Sequence, residues 1–305
     1  MNNRSNSLPL SGKLQHTLTN DYLFRAVIQK NPEAAKGLVA ALLNIPVGNI
    51  RELTVENPII LGEKIEDKDC ILDIRLLLNN NARINLEMQV GNLTNWTMRS
   101  VYYLCRLFTN LQSGQDYNEA LPCIHIGILT HTLFPEHPKF YSKNYLTDLE
   151  THHLYTGNFG IHVLDLNQIN HISDEEKNSD LYYWARMFLA TTWEEVNTLA
   201  EKSDSLQSFS FTLKELSEDE KIRLRCEARE RYYADQKAAV NTGFQDGYKT
   251  GYNSGYDSGR KETSDSLRAL YAILSKHRRY DDIERCEKDN AFLESLLKEL
   301  HLTDS

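Results

Sequence analysis

Residues 70–90 read CILDIRLLLNNNARINLEMQV, and this stretch decides the fold of the chain. Apolar and polar residues alternate over 84–90, which is the period of a β-strand with one buried face. Glu87 and Gln89 are two residues apart and therefore project from the same face of this strand. The pattern predicts a strand that presents a carboxylate and an amide side by side.

A second strand is predicted immediately before it, over the mainly apolar run 71–78, which includes Asp73. The three asparagines at 79–81 separate the two strands, and asparagine favours tight turns because it tolerates positive φ. A three-residue loop centred on Asn80 makes the numbers of paired residues sum to 160. This register places Asp73 opposite Glu87, with Cβ atoms about 5 Å apart.

Two carboxylates that face each other on a half-buried sheet repel unless a cation lies between them. Mg²⁺ is a suitable cation, because it binds one or two carboxylates together with water and phosphate oxygens. The alternative is an ordinary hairpin whose polar face meets water, with Asp73 in a salt bridge. A slip of one residue would place the two acids on opposite faces, so the register decides between these interpretations.

The charge of the chain argues against broad electrostatic adhesion to nucleic acid. The net charge is −9, and residues 171–305 carry −7 of it, from 20 Lys and Arg against 27 Asp and Glu. Residues 1–170 carry the remaining −2. Any contact with phosphate groups must therefore be local.

The five cysteines are widely spaced and form no CxxC motif, which argues against a disulfide framework or a structural zinc site. The N-terminus lacks a signal-peptide core, and no apolar run approaches the roughly 20 residues of a membrane span. We therefore expect a cytoplasmic protein without membrane segments.

A helix is predicted from Trp96 to about Gln112, directly after the carboxylate strand. We expect its apolar stripe to face the core, and this stripe comprises Val101, Leu104, Cys105, Phe108 and Leu111. The opposite stripe contains Arg99, Tyr103 and Arg106, which could hold phosphate groups near a metal ion. The alternative interpretation is a solvated helix face.

The remaining pattern of residues 18–170 predicts a mixed α/β domain. Two short helices are expected around a break at Asn31-Pro32, the first capped by Thr19 or Asn20 with Asp21 in or beside its first turn. Buried strands are expected at 123–131 and 161–166, joined by a long irregular loop. The histidines of this region show no metal-ligand spacing and are interpreted as core or surface residues.

From residue 174 onward the pattern is helical, and it contains the repeat GFQD GYKT GYNS GYDS GRKE over 243–262. Interior glycine costs a helix about 1 kcal/mol relative to alanine, so a lone helix here would be poor. Close packing against the same segment of a second subunit would offset that cost. The repeat is thus either an oligomerisation helix or a flexible polar linker.

These features divide the chain into five segments. We expect a flexible N-terminus (1–17), the mixed α/β domain (18–170), a helical region (171–242), the glycine repeat (243–262) and C-terminal helices (263–305).

With these pieces together, the sequence resembles the Rpn family of recombination-promoting nucleases, also described as PD-(D/E)XK nuclease-family putative transposases. The resemblance covers about residues 15–260. It rests on the order and spacing of short motifs, which are Asn20-Asp21-Tyr22-Leu23-Phe24-Arg25, Leu72-Asp73-Ile74, Asn85-Leu86-Glu87-Met88-Gln89, Arg99 and Tyr102-Tyr103.

The resemblance implies a restriction-endonuclease-like α/β core, with a mixed sheet flanked by helices and followed by an all-helical region. It also implies hydrolysis of DNA with Mg²⁺ or Mn²⁺, in which Asp73 and Glu87 match the two metal-binding acids. Gln89 stands where the general motif has lysine; an amide can orient water but carries no charge. Asp21 matches an acid contributed by the first helix, and Arg99 would hold a phosphate oxygen. The alternative is a catalytically weak or inactive binding protein that oligomerises through its glycine repeat.

Overall fold

The computed structural model describes residues 11–57, 74–91, 95–108 and 114–302. The strands in these ranges are β1 (Leu53–Val55), β2 (Ile74–Leu78), β3 (Ala82–Gln89), β4 (Cys123–Leu129), β5 (Tyr141–Thr147) and β6 (Leu154–Asp165). The helices are α1 (Asp21–Lys30), α2 (Pro32–Leu43), α3 (Trp96–Phe108), α4 (Asp180–Leu189), α5 (Trp193–Ala200), α6 (Asp204–Ser217), α7 (Glu220–Lys276), α8 (Tyr280–Lys288) and α9 (Asn290–Glu299).

The described strands form one six-stranded mixed sheet in the order β1-β2-β3-β4-β6-β5. The neighbouring strands β3, β4 and β6 run parallel to one another. The other pairs, β1 with β2, β2 with β3 and β5 with β6, are antiparallel. The chain connects β3 to β4 through α3, as parallel neighbours require a crossover. The predicted mixed α/β class is therefore confirmed.

The hairpin of β2 and β3 has the predicted register. Its five described pairs run from Ile74 with Leu86 to Leu78 with Ala82, and the two residue numbers of each pair sum to 160. Asn79 and Asn80 have φ values of 49° and 56°, the left-handed conformation that asparagine tolerates. The Asn79 side chain also accepts hydrogen bonds from two backbone amides of the segment that precedes β1.

One face of the sheet lies on the main hydrophobic core. β3 contributes Ile84, Leu86 and Met88 to this core, which also includes residues of α1, α2, α4 and α6. α1 and α2 meet at the predicted break, where Asn31 ends α1 and its side chain caps α2 by accepting from the amide of Ala34. The other face of the sheet is packed against α3.

The prediction of a long irregular loop between residues 131 and 161 is wrong. This segment contains β5 and the first half of β6, which pair antiparallel. Residues of β5 are exposed or half-buried because β5 lies at one edge of the sheet. Its composition, YSKNYLT, therefore lacks the apolar alternation that marks a strand with a buried face.

The chain divides into two compact units, Met1–Arg231 and Tyr232–Ser305. The glycine repeat lies within α7 and is helical throughout. The second unit has a small apolar core of its own, comprising Leu270, Leu274, Cys286, Leu296 and Leu297. No helix in the described part of the chain combines the length and apolar character that crossing a bilayer requires.

Residues 11–17 lie in the first unit, within the segment expected to be flexible. The amide of Leu14 donates to the carbonyl of Thr191, and the amide of Trp193 donates to the carbonyl of Gly12. These bonds attach the described part of the N-terminal segment to the start of α5.

Candidate active site

Three odd-numbered residues of β3 form a buried polar row on the face of the sheet that α3 covers. Asn85, Glu87 and Gln89 are only 1%, 4% and 3% exposed. Burial of a carboxylate is unfavourable unless an opposite charge or hydrogen-bond donors compensate it. The surroundings of Glu87 therefore define the chemistry of the site.

Arg99 of α3 supplies the compensating charge. Its Nη2 lies 2.6 Å from Oε1 of Glu87, and its Nη1 donates a hydrogen bond of 3.3 Å to Oε1 of Gln89. One guanidinium thus connects both polar side chains that the sequence pattern had placed side by side. Gln89 is held from its other end as well, since its Nε2 donates to the carbonyl of Val90.

A histidine that the sequence analysis left without a function lies on the neighbouring strand. His125 of β4 pairs with Asn85 in the parallel register and is completely buried. Its Nδ1 lies 3.0 Å from Nδ2 of Asn85, and its Nε2 lies 3.6 Å from Oε2 of Glu87. Burial, with a smaller contribution from the charge of Arg99, lowers the pKa of His125 to about 3, so the imidazole is neutral near pH 7.

The predicted orientation of α3 is wrong in part. Leu104 is buried as expected, but Val101, Cys105 and Phe108 are exposed. The buried face instead contains Trp96, Ser100, Leu104 and Leu107. Helix periodicity alone favoured the more continuous apolar stripe, whereas the observed orientation turns Arg99 toward the buried carboxylate of β3.

Tyr103 lies close to the buried polar row of β3, whereas Arg106 lies away from it. The guanidinium of Arg99 lies 5.4 Å from the ring centre of Tyr103, and this ring is 6.2 Å from the imidazole of His125. Arg106 is exposed and lies over the ring of Tyr102, at 5.8 Å. The structure therefore places Tyr103 beside the polar row and Arg106 on the solvent side of α3.

Trp96 anchors α3 on the sheet next to Glu87. Gly127 of β4 is the register partner of Glu87, and a Cβ at this position would lie 2.2 Å from Cζ2 of Trp96. Only glycine leaves room for the indole ring, which is 2% exposed. Gly127 thereby allows the helix that carries Arg99 to lie close to the carboxylate.

We expect Gly127→Ala to lower the free energy of unfolding by about 1–3 kcal/mol, because the added methyl group overpacks the contact with Trp96. Gly157→Ala is the matched control, since a Cβ there meets its nearest atom at 3.8 Å. We expect the control to change stability by no more than about 0.5 kcal/mol. Denaturant unfolding of both variants measures the difference, and equal effects would contradict the assigned packing.

Asp21 lies in a second buried ion pair. Its carboxylate accepts from Nε of Arg229 at 2.9 Å and from Nη2 at 2.7 Å, and both side chains are largely buried. The pair joins the first turn of α1 to α7. Sequence pattern does not indicate Arg229 as the partner of Asp21, because the two residues are 208 positions apart.

His162 is another buried histidine, on the opposite face of the sheet from His125. Its Nδ1 and Nε2 each lie 2.8 Å from a tyrosine hydroxyl, those of Tyr141 and Tyr145 respectively. Burial, with a smaller contribution from Lys143, lowers the pKa of His162 to about 4. This group therefore stays neutral in the folded protein under mildly acidic conditions.

Because the unfolded chain protonates histidine near pH 6.5, it binds a proton at position 162 that the folded chain excludes until about pH 4. The stabilising contribution of the neutral state is full above pH 6.5 and is lost as the pH falls. We expect this residue to account for a loss of about 2 kcal/mol between pH 7 and pH 5. Guanidinium unfolding at both pH values should show a correspondingly smaller loss in His162→Gln, and equal losses would contradict the prediction.

Asp73 lies outside the described residues, and the described part of the chain contains no group of three or more His, Cys, Asp or Glu side chains at metal-binding distance. The carboxylate of Glu87 and the amide oxygen of Gln89 are the hard oxygen donors that Mg²⁺ takes. The described donors therefore fit part of a divalent metal site.

The protein thus has a mixed α/β fold, in which the buried Glu87 of β3 lies beneath the helix that carries Arg99. The sequence profile of the PD-(D/E)XK nuclease family transposases matches residues 18–243, and the chain belongs to this family. No curated protein and no solved structure matches the chain significantly. The family match confirms the fold and the broad resemblance inferred from the motifs.

Proposed function

We propose that this protein is a metal-dependent DNA endonuclease of the Rpn type, which hydrolyses phosphodiester bonds in the cytoplasm in connection with recombination or mobile elements. The main observation in support is the contact of Arg99 with Glu87 and Gln89 on the central strand of a nuclease-family fold. The free cysteines of the described residues fit a reducing compartment.

The residues take the following roles in this proposal. Asp73 and Glu87 hold Mg²⁺ or Mn²⁺, and Gln89 orients the attacking water through its amide. Arg99 holds a phosphate oxygen of the DNA. Its contact with Glu87 keeps the guanidinium close to the proposed metal ligand. When bound, the divalent ion lowers the pKa of water and offsets the charge of the scissile phosphate.

A thermal and denaturant titration with Mn²⁺ tests the metal site directly. A ligand that binds only the folded state at 100 times its Kd adds about 2.7 kcal/mol to the free energy of unfolding. We expect this stabilisation in the wild type and its loss in Glu87→Gln. A wild type that shows no stabilisation by Mn²⁺ or Mg²⁺ would contradict metal-dependent catalysis.

We propose a second candidate function on the evidence of the glycine repeat, namely self-association as a homodimer or larger homo-oligomer. Apart from the adjoining residues and the backbone of the helix itself, no described atom lies within 4 Å of a Cβ built at any of its five glycines. The adjacent aromatic residues are also exposed, at 75% for Phe244, 69% for Tyr248, 65% for Tyr252 and 63% for Tyr256. A binding protein without nuclease activity would retain this surface.

Substitution of Gly251 and Gly255 by alanine distinguishes a helix that stands alone from one that packs against a second subunit. In a lone helix each substitution raises helix stability by about 1 kcal/mol and leaves the molar mass unchanged. In a closely packed pair of helices the added methyl groups push the backbones apart and shift the protein toward monomer. Light scattering after gel filtration measures the mass, with Asn253→Ala as the control outside the glycine stripe.

A further inference from the structure

The two oxygens of the Glu87 carboxylate lie against different partners. Oε1 contacts the guanidinium of Arg99 at 2.6 Å, whereas Oε2 is 3.6 Å from Nε2 of His125. His125 is completely buried, and Asn85 beside it is 1% exposed. The role given to Arg99 does not explain why a histidine and an asparagine are buried next to the carboxylate.

The contact with Asn85 determines the tautomer of His125. The amide nitrogen Nδ2 of Asn85 can only donate, so Nδ1 of His125, at 3.0 Å, accepts. A neutral imidazole that accepts through Nδ1 carries its proton on Nε2. The N–H group nearest to Oε2 of Glu87 is therefore a donor, at a distance slightly longer than a hydrogen bond.

We propose that His125 is a positioning residue, which directs its Nε2–H at Oε2 of Glu87 while Arg99 holds Oε1. Asn85 completes the arrangement by fixing the tautomer of the imidazole. The effect is a single orientation of the carboxylate on β3. The inference rests on the proposed function in one respect, namely that Glu87 is a metal ligand whose orientation governs metal affinity.

The competing explanation is that His125 only fills space in the core. The rings of Trp96 and Tyr103 lie 5.9 Å and 6.2 Å from the imidazole, so the residue has aromatic neighbours on the α3 side. Space filling requires neither a particular tautomer nor any response of the imidazole to the charge at position 87. It also predicts that a phenylalanine of similar size replaces His125 without loss of metal affinity.

Nitrogen NMR of histidine-labelled protein tests the tautomer without any metal. We expect the His125 resonances of the wild type to show a neutral ring protonated at Nε2, and we expect them to shift in Glu87→Gln. His125→Phe identifies the resonances by their disappearance. A ring protonated at Nδ1, or resonances that ignore Glu87→Gln, would overturn the proposal.

Calorimetric titration with Mn²⁺ measures the consequence for the site. Removal of groups that orient a metal ligand typically costs 10- to 100-fold in affinity, so we expect a loss of at least 10-fold in His125→Phe. His125→Gln retains a donor and should recover part of the affinity. His162→Gln is the control, because it replaces a buried histidine that contacts Tyr141 and Tyr145.

Circular dichroism and unfolding curves confirm that each variant is folded before its affinity is compared. Wild-type affinity in a folded His125→Phe would overturn the proposal. Absence of Mn²⁺ binding by the wild type would contradict the metal site of the proposed function. In that case the nitrogen spectrum would still decide whether His125 orients Glu87.

Discussion

Glu87→Gln is expected to reduce DNA cleavage by on the order of 10³-fold, the largest effect of any single substitution in the described site. The change keeps the shape of the side chain but removes the charge that binds a divalent ion. It also removes the partner of the Arg99 guanidinium, which is 2.6 Å from Oε1 in the wild type. Both consequences act at the place where the phosphate would be held.

Initial rates of plasmid nicking in Mg²⁺ measure this effect. Glu56→Gln is the matched control, since Glu56 pairs with Arg83 at 3.2 Å near the hairpin and has no role in the proposed chemistry. The control should cleave at a rate close to that of the wild type. A folded Glu87→Gln that retains more than a tenth of the wild-type rate would contradict the assignment of Glu87.

Asp21→Asn is expected to lower the free energy of unfolding by about 3–5 kcal/mol, because it leaves the Arg229 guanidinium buried without its carboxylate. The side chains of Asp21 and Arg229 are only 3% and 12% exposed. Glu215→Gln is the comparison variant, because it breaks an exposed ion pair in place of a buried one. Its partner is Lys30, in a pair whose side chains are 64% and 38% exposed, and removing such a pair costs at most about 1 kcal/mol.

Urea unfolding of the two variants measures the contrast, and the double variant Asp21→Leu with Arg229→Met tests its cause. Replacing both partners removes the uncompensated charge, so the double variant should be more stable than Asp21→Asn. A cost for Asp21→Asn no larger than that for Glu215→Gln would contradict the structural role. Cleavage by the stable double variant then shows whether Asp21 also acts in catalysis, as the resemblance implies.

The hairpin could be predicted because its determinants are local. Alternation over 84–90 gives the faces of β3, and the asparagine turn gives the register that the five described pairs show. The alternation alone places Glu87 and Gln89 side by side, without knowledge of the rest of the fold. The position of Asp73 opposite Glu87 follows from the same rule and stays a prediction.

The partners of Glu87 could not be predicted in the same way, because they depend on packing between distant elements. The orientation of α3 follows from the fit of Trp96 over Gly127, which sequence periodicity does not report. His125 reaches the site only through the parallel pairing of β4 with β3. Given that pairing, the alternation of CIHIGIL would have placed His125 on the same face as Asn85 and Glu87.

Incubation of supercoiled plasmid with the wild type and with Asp73→Ala, in Mg²⁺, in Mn²⁺ and in EDTA, tests the central claim most directly. We expect nicking and linearisation by the wild type in either metal, no cleavage in EDTA, and no cleavage by Asp73→Ala. Equal cleavage by both proteins would contradict a nuclease site on the hairpin. No cleavage by either folded protein would contradict the nuclease itself and favour the self-associating binding protein.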